Sequence, residues 1–496
     1  MVYRYCSLLF ALMVVTVVVG CSTISKTCRP NIIYFLADDL GYGELGCYGQ
    51  QKILTPHANH LAAEGMRFTQ HYCGAPVCAP SRCVLMTGKH LGHAYIRNNK
   101  EVRPEGQIPI PAEEITIAEL LKNSGYATAA IGKWGLGPVG STGDPNRQGF
   151  DLFFGYHCQR HAHSYYPSYL WYNDRRITLN NNPPIPGHAP FPAGADPHDP
   201  AYYARFKGQD YTPARMIDQA LTFIREHKDE PFFLYYPTPL PHLALHVPDE
   251  ELEQYLGKWK ETPFAGYGYT PHLTPRAAYA AMISYMDKNL GRIMALLKEL
   301  GLDNNTLVIF SSDNGTTLVK EEVDTEFFNS VGPLRGLKGS VYEGGIRVPM
   351  IARWPGKIPP GATSDHVCTF YDVMPTLCEV AGIKPPKNID GISFITTLLR
   401  QGRQEEHEYL VWEFYGYRGQ QAVRMGNWKG VRRECYKNPD GPIELYDLAV
   451  DIGEKINVAD RHPKIVKRIA RIMRQEHSPS EIWDFHKTPT KSKPKR

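Results

Sequence analysis

Residues 31–37, NIIYFLA, form an unbroken apolar run. A run without alternation predicts a central strand covered on both faces. Similar stretches occur at 126–132 (YATAAIG), 231–237 (PFFLYYP), 306–315 (TLVIFSSDNG) and 347–355 (RVPMIARWP). Between them the apolar positions take helical spacing. The segment 55–65 opens on Thr55 and Pro56, which suit an N-cap and first turn. The segment 116–125 ends at Gly125, 212–228 is amphipathic, and 274–301 is a long helix closed by Gly301. This rhythm predicts an α/β fold: a large, mostly parallel sheet sandwiched by helices. Past residue 400 the pattern changes. Short strands over 407–415, 421–433 and 443–451 precede a helical stretch at 462–477. These predict a small C-terminal antiparallel sheet plus helix over 401–480, beside a main unit over 29–400. The segment 156–211 is rich in Pro, Asn, His and Tyr and lacks periodicity, which predicts a long functional surface loop.

The N-terminus reads differently. Arg4 precedes an apolar run from Leu8 to Val19, then Gly20 and Cys21. The run falls short of the roughly 20 residues that span a bilayer and fits an export signal. "VVGC" resembles a bacterial lipobox. The expectation is a signal over 1–20, lipidation of Cys21, and anchorage in a bacterial membrane, at the outer membrane or cell surface or in the periplasm.

Net charge is +4 over 496 residues, without a dense basic stripe, which argues against a nucleic-acid partner. The end, 481–496, is basic and reads as a flexible tail. Eleven cysteines are present, but no Cys-x-x-Cys zinc pattern.

Sheets of this class place function beyond the carboxyl ends of their strands. Asp38-Asp39 follow the first strand, and Asp313-Asn314 follow another. Such hard oxygen donors suit Ca²⁺ or Mg²⁺. Cys78 stands in CAPSRCVLMTG, at the start of a predicted helix near Pro80, where backbone N–H groups favour an anion. Arg82, one turn on, can point to the same place.

CAPSRCVLMTG resembles the signature of the type I, formylglycine-dependent sulfatases, arylsulfatase-like members of the alkaline phosphatase superfamily. DD after the first strand, GKW, FFLYYPTPLPH, SSDNG and LKGSVYEGGIRVP occur in that family's order. The resemblance implies an alkaline phosphatase-like fold. It implies that a separate formylglycine-generating enzyme converts Cys78 to Cα-formylglycine (3-oxoalanine), whose hydrate attacks sulfur. It implies that Asp38, Asp39, Asp313 and Asn314, with the modified Cys78, hold the metal. Arg82 would orient the hydrate, Lys133 and Lys338 would contact sulfate oxygens, and His242 would assist the leaving oxygen, in preference to His246.

One position departs from the pattern. Many relatives read GKWHLG, and this chain has Gly135 where their His stands. His161 and His163, in the long insert, are candidates to supply the missing base. Lys89, His93 and Arg97 follow the signature and are expected near the pocket mouth as substrate contacts. Tyr165, Tyr166, Trp171 and Tyr172 could stack on sugar rings. The implied activity is hydrolysis of sulfate esters of a sulfated carbohydrate. Two other readings stay open: a phosphodiester or phosphonate monoester hydrolase of the same superfamily, and an inactive glycan-binding lipoprotein should Cys78 remain unmodified.

Overall fold

A computed structural model describes residues 29–487 except 267, 320 and 321. The signal over 1–20, Cys21 and the tail beyond 487 lie outside the described residues. Among the described residues no helix is long and apolar enough to cross a membrane.

The strands, in chain order, are β1 (Asn31–Ala37), β2 (Met66–Phe68), β3 (His71–Tyr72), β4 (Ala127–Lys133), β5 (Leu152–Tyr156), β6 (Tyr169–Tyr172), β7 (Arg175–Thr178), β8 (Phe232–Pro237), β9 (Thr306–Ser312), β10 (Met350–Arg353), β11 (Ala362–Ser364), β12 (Cys368–Thr369), β13 (Leu410–Phe414), β14 (Gln420–Met425), β15 (Trp428–Arg433) and β16 (Ile443–Asp447). Ten of them form one sheet in the order β11-β2-β10-β9-β1-β8-β4-β5-β6-β7. Its centre, β9-β1-β8-β4-β5, is parallel throughout. β10 runs antiparallel to β9, and β6 and β7 close the far edge as an antiparallel hairpin.

The unbroken apolar run of β1 has a direct consequence. Alternate side chains point to opposite faces. Ile32, Tyr34 and Leu36 enter one core with the Cys78–Thr87, Ile117–Asn123 and Val373–Val380 helices. Ile33, Phe35 and Ala37 enter the other with the Pro56–Ala63, Thr212–Glu226 and Pro275–Glu299 helices. Local chemistry sets the ends. Thr116 and Glu119 form a reciprocal capping box, with Thr116 Oγ1 accepting from Glu119 N at 3.2 Å and Glu119 Oε2 accepting from Thr116 N at 2.8 Å.

Two expectations are corrected. The 156–211 insert is not wholly irregular: β6 and β7 pair around Asn173-Asp174, and Asn173 adopts φ 54°. Asn tolerates this left-handed turn, which a periodicity search over a longer window overlooks. Within 421–433 the expected strands and turn are present: β14 and β15 meet at Gly426, whose φ of 57° reverses the chain. Residues 481–487 are not a free tail. Trp483 and Phe485 are buried against Tyr415 and Cys435, an apolar anchor that outweighs the basic composition behind it.

β13 to β16 form an antiparallel meander. One face packs Val411, Val423 and Leu445 on Ile469 and Ile472 of the Pro463–Gln475 helix. The other face, through Trp412, Phe414 and Tyr446, joins the main core.

Candidate active site

The parallel strands carry the chemistry to one edge. β1 delivers Asp38 and Asp39, β9 delivers Asp313 and Asn314, Lys133 is the last residue of β4, and His242 lies in the turn after β8. Strand pairing continues past the ladder: Asp313 N donates to Ala37 O at 3.0 Å and Asp38 N to Leu240 O at 2.9 Å. Asp39 N then donates to Asp313 Oδ1 at 3.1 Å, and Asp39 adopts a left-handed φ of 66°, a region Asp tolerates better than most residues.

Cys78 is the first residue of the Cys78–Thr87 helix, two residues earlier than the Pro80 start that the sequence suggested. Val77 supplies no side-chain cap. Instead Asn99 Oδ1 accepts from Ala79 N at 3.0 Å, satisfying one otherwise free helical donor. The Cys78 thiol lies 3.4 Å from Lys133 Nζ, 3.5 Å from Lys338 Nζ and 3.5 Å from Asp38 Oδ1. Burial, against the pull of both lysines, pushes this thiol up to about 12. A thiol so held is protonated at neutral pH and is a poor nucleophile.

Around it the charges interlock. Lys133 Nζ donates to Asp38 Oδ2 at 2.6 Å, and Lys338 Nζ to Asp39 Oδ2 at 2.7 Å. Arg82 is fully buried; its Nε and Nη2 donate to Asp313 Oδ2 at 3.0 and 2.7 Å, and Nη1 donates to Lys133 O. Burial alone would raise the Asp38 carboxyl, but Lys133, His242 and Arg82 hold it well below the usual carboxylate range. Burial and the Asp38 charge push Asp313 up to about 7, with Arg82 opposing. Burial, then Lys338, lowers His242 to about 4, so its imidazole is neutral at pH 7. His242 Nδ1 pairs with Leu243 O, which leaves Nε2 to accept from Lys338 Nζ at 3.0 Å.

The carboxylate and carboxamide oxygens of this cluster fit a hard cation. Oxygen, sulfur and imidazole donors of Asp38, Asp39, Cys78 and His242 all lie within 4.8 Å of one another. Asn314 Nδ2 donates to Asp39 Oδ1 at 2.7 Å, yet its buried Oδ1 has no hydrogen-bond partner. A buried carbonyl oxygen without a donor, beside crowded carboxylates, is the arrangement that a cation would satisfy.

The other expected residues divide. His163 stacks on His242, ring centroids 4.5 Å apart, and pairs through Nδ1 with His188 Nε2 at 2.7 Å. His161 does not join them; it pairs with Glu105 at 3.2 Å. His93 is drawn to Asp390 at 2.9 Å, Arg97 to Glu413 at 2.8 Å and Lys89 to Glu114 at 2.7 Å. The structure thus ties these three into ion pairs and not into the Cys78 cluster. Opposite charges on the following segments, remote in sequence, compete for them. Tyr165 is fully buried and its hydroxyl lies 2.6 Å from both Pro239 O and His242 O, with one proton to place between them, so it supports the His242 turn. Tyr166 and Trp171 are buried as well.

A cavity of about 450 Å³ opens above Cys78, lined also by His163, His242, Lys338, Gln159 and Tyr417. Gln159 and Tyr417 were not among the expected residues. Tyr417 carried a signal: it sits in FYGYRG, an aromatic in a glycine-rich turn, and it is 56% exposed. Gln159 carried none. All eight described cysteines are unpaired, and Cys83 is a buried core residue.

The family model described as Sulfatase matches residues 30–383, and that described as N-sulphoglucosamine sulphohydrolase, C-terminal, matches 337–478. The chain is 30% identical to N-acetylgalactosamine-6-O-sulfatase of Bacteroides thetaiotaomicron over 90% of this chain and 92% of that protein. It is 31% identical to human arylsulfatase A over 89% of this chain and 87% of that protein. The crystal structure of Ps i-CgsB in complex with k-i-k-neocarrahexaose superposes with TM-score 0.72 at 26% identity, covering 91% of this chain and 94% of that one. The phosphonate monoester hydrolase of Agrobacterium radiobacter shares the fold, at TM-score 0.65 and 21% identity. With the family model spanning most of its length and two full-length relatives at 30% identity or more, the chain belongs to the sulfatase family, hydrolases of sulfuric esters.

Proposed function

We propose that this protein removes sulfate from a sulfated carbohydrate at the cluster around Cys78. The observation that carries the proposal is the seating of position 78 at a helix N-terminus between two lysine ammonium groups, 3.4 and 3.5 Å away. A bound divalent cation would supply Lewis-acid charge, and a Cα-formylglycine formed at position 78 would supply an oxygen nucleophile in place of the inert thiol. Asp38, Asp39, Asp313 and Asn314 would hold the cation, Ca²⁺ or Mg²⁺, together with position 78.

The chain's own residues do the rest. Lys133 and Lys338 face the anionic sulfuryl oxygens as compact charges. Arg82 clamps Asp313 and the Lys133 carbonyl, which fixes both sides of the cluster. Lys338 Nζ donates to the neutral His242 Nε2 across 3.0 Å, and this ammonium, steadied by His242, would donate a hydrogen bond to the departing alcohol oxygen. Exposed Tyr417, at the mouth, offers a face on which a sugar ring can stack. The names of two relatives, an N-acetylgalactosamine-6-O-sulfatase and a complex with a neocarrahexaose, support a saccharide substrate.

Peptide mass spectrometry across residues 77–82 tests the first step; an unmodified thiol in active protein would overturn it. A panel of sulfated saccharides against matched phosphate esters, with Cys78→Ala as control, tests the reaction. Preferred turnover of the phosphate esters would favour the phosphonate hydrolase relatives instead. The same proposal holds the chain to be exported and anchored through a lipid on Cys21, on the strength of its sequence. Radiolabelled palmitate incorporation that survives Cys21→Ser would refute that part.

A further inference from the structure

Gln159 follows β5 and is 4% exposed, and neither its Oε1 nor its Nε2 has a hydrogen-bond partner. A buried carboxamide without partners costs free energy, so it is retained where something else completes it. The same side chain lines the cavity above Cys78, with Lys338 and His242 on the other walls. Its place depends on Gly135. A Cβ on Gly135 would lie 1.6 Å from Gln159 Nε2 and 2.8 Å from its Cδ, and Gly135 holds φ at 92°. Any side chain at 135 would therefore expel Gln159 from the position it occupies. The departure at 135 is filled by an amide and not by His161, which is held by Glu105.

The chemistry of the amide narrows the ligand. An amide donates through nitrogen and accepts through oxygen. A sulfate monoester anion carries no donor, so it can satisfy Nε2 but not Oε1. A sugar hydroxyl, or an acetamido group, can satisfy both. We infer that Gln159 is a specificity-determining residue that reads a hydroxyl or acetamido group of the sulfated sugar, in the space that Gly135 leaves open. This rests on the sulfatase reading of the Cys78 cluster. It assigns no proton transfer to Gln159, since an amide does not titrate near neutrality.

The experiment compares wild type, Gln159→Met and Gln159→Asn on N-acetylgalactosamine 6-sulfate, κ-carrageenan oligosaccharides and 4-nitrophenyl sulfate, which carries neither a sugar hydroxyl nor an acetamido group. For Gln159→Met the ratio of saccharide to aryl kcat/KM is expected to fall by about tenfold or more, mainly through KM, because a site group that pairs with a substrate hydroxyl discriminates by its loss. Tm should stay level or rise, since two unpaired buried polar atoms are removed. Gln159→Asn should recover part of the ratio. An unchanged ratio would overturn the inference, as would a fall accompanied by an equal loss of Tm, which would mark a packing role. Calorimetry of the two saccharide probes on Cys78→Ala, with and without Gln159→Met, reads binding without turnover. Failure of wild type to cleave any ester would sink the sulfatase reading, whereas equal saccharide affinity with and without Gln159→Met would sink this inference alone.

Discussion

Lys429 Nζ lies 2.8 Å from Glu343 Oε1 and both side chains are fully buried. Glu454 Oε1 lies 3.0 Å from the same nitrogen. Lys429 belongs to β15 of the C-terminal sheet, and Glu343 to the short helix that follows the Lys338 loop. This ion pair therefore fastens the small sheet behind the Lys338 loop. Removing Lys429 takes the ammonium from two buried carboxylate oxygens, Glu343 Oε1 and Glu454 Oε1, while Arg347 still reaches Glu343 Oε2 at 3.3 Å, and is expected to cost about 3 kcal/mol. Lys429→Met should lower the unfolding free energy by that order in urea titrations. The double variant Lys429→Met, Glu343→Gln should recover part of it. A single variant as stable as wild type would show that the pair contributes nothing net.

Asn314 Oδ1 predicts a metal dependence. Saturating a site at about 100 times Kd adds about 2.7 kcal/mol of stability. Thermal melts in Ca²⁺ or Mg²⁺ against excess chelator should therefore separate by several degrees. Asn314→Ala removes the orphan oxygen and should abolish most of that separation. Identical melts with and without cation in the wild type would exclude a resident metal at this cluster.

Arg82 is a more demanding position than its charge alone suggests. Nε and Nη2 grip Asp313 while Nη1 reaches the Lys133 carbonyl. A lysine keeps the charge and loses the fork. Arg82→Lys is expected to lower kcat/KM on 4-nitrophenyl sulfate by about 10²–10³. Near-wild-type turnover would mean that charge suffices there and that the clamp is dispensable.

His71 sets part of the acid limit of stability. It is fully buried, with Nδ1 3.3 Å from Cys368 Sγ and Nε2 without a partner. Burial lowers it from 6.5 to about 3. Below pH 6.5 the unfolded chain takes up a proton here that the fold refuses. Stability from this group is fully present above 6.5 and declines as pH falls toward 3, by about 1.4 kcal/mol per unit. Between pH 6.5 and 5 the loss is on the order of 2 kcal/mol. Unfolding curves of His71→Leu at those two pH values should show a smaller difference than wild type. Parallel pH profiles would assign the acid sensitivity to other groups, of which buried His246, lowered likewise to about 3, is the next to test.

Periodicity and motif order determined the architecture and the centre of the site. An apolar run without alternation can only be a strand buried on both faces or a buried helix, and seven residues bounded by turn formers choose the strand. That places Asp38, Asp39, Asp313 and Asn314 at strand ends whatever the rest of the chain does, because strand direction is local and parallel crossovers bring those ends to one edge. Lys133 follows by the same logic, and Cys78 by its motif at the start of a helix. Residues whose partners are remote in sequence were decided by the tertiary structure. His93, Arg97 and Lys89 have surface composition but are held by Asp390, Glu413 and Glu114, pairs that no spacing rule connects. His161 is held by Glu105, and His163 is brought onto His242 by the insert's own fold. Gln159 is the sharpest case. A glutamine in an irregular loop has no signal of its own, and it gains one only when the chain folds it into the space beside a glycine 24 positions earlier, where its amide is buried and unpaired. Short-range spacing encodes where strands end, whereas partnership across the cavity is a property of packing, which the linear order of residues does not express.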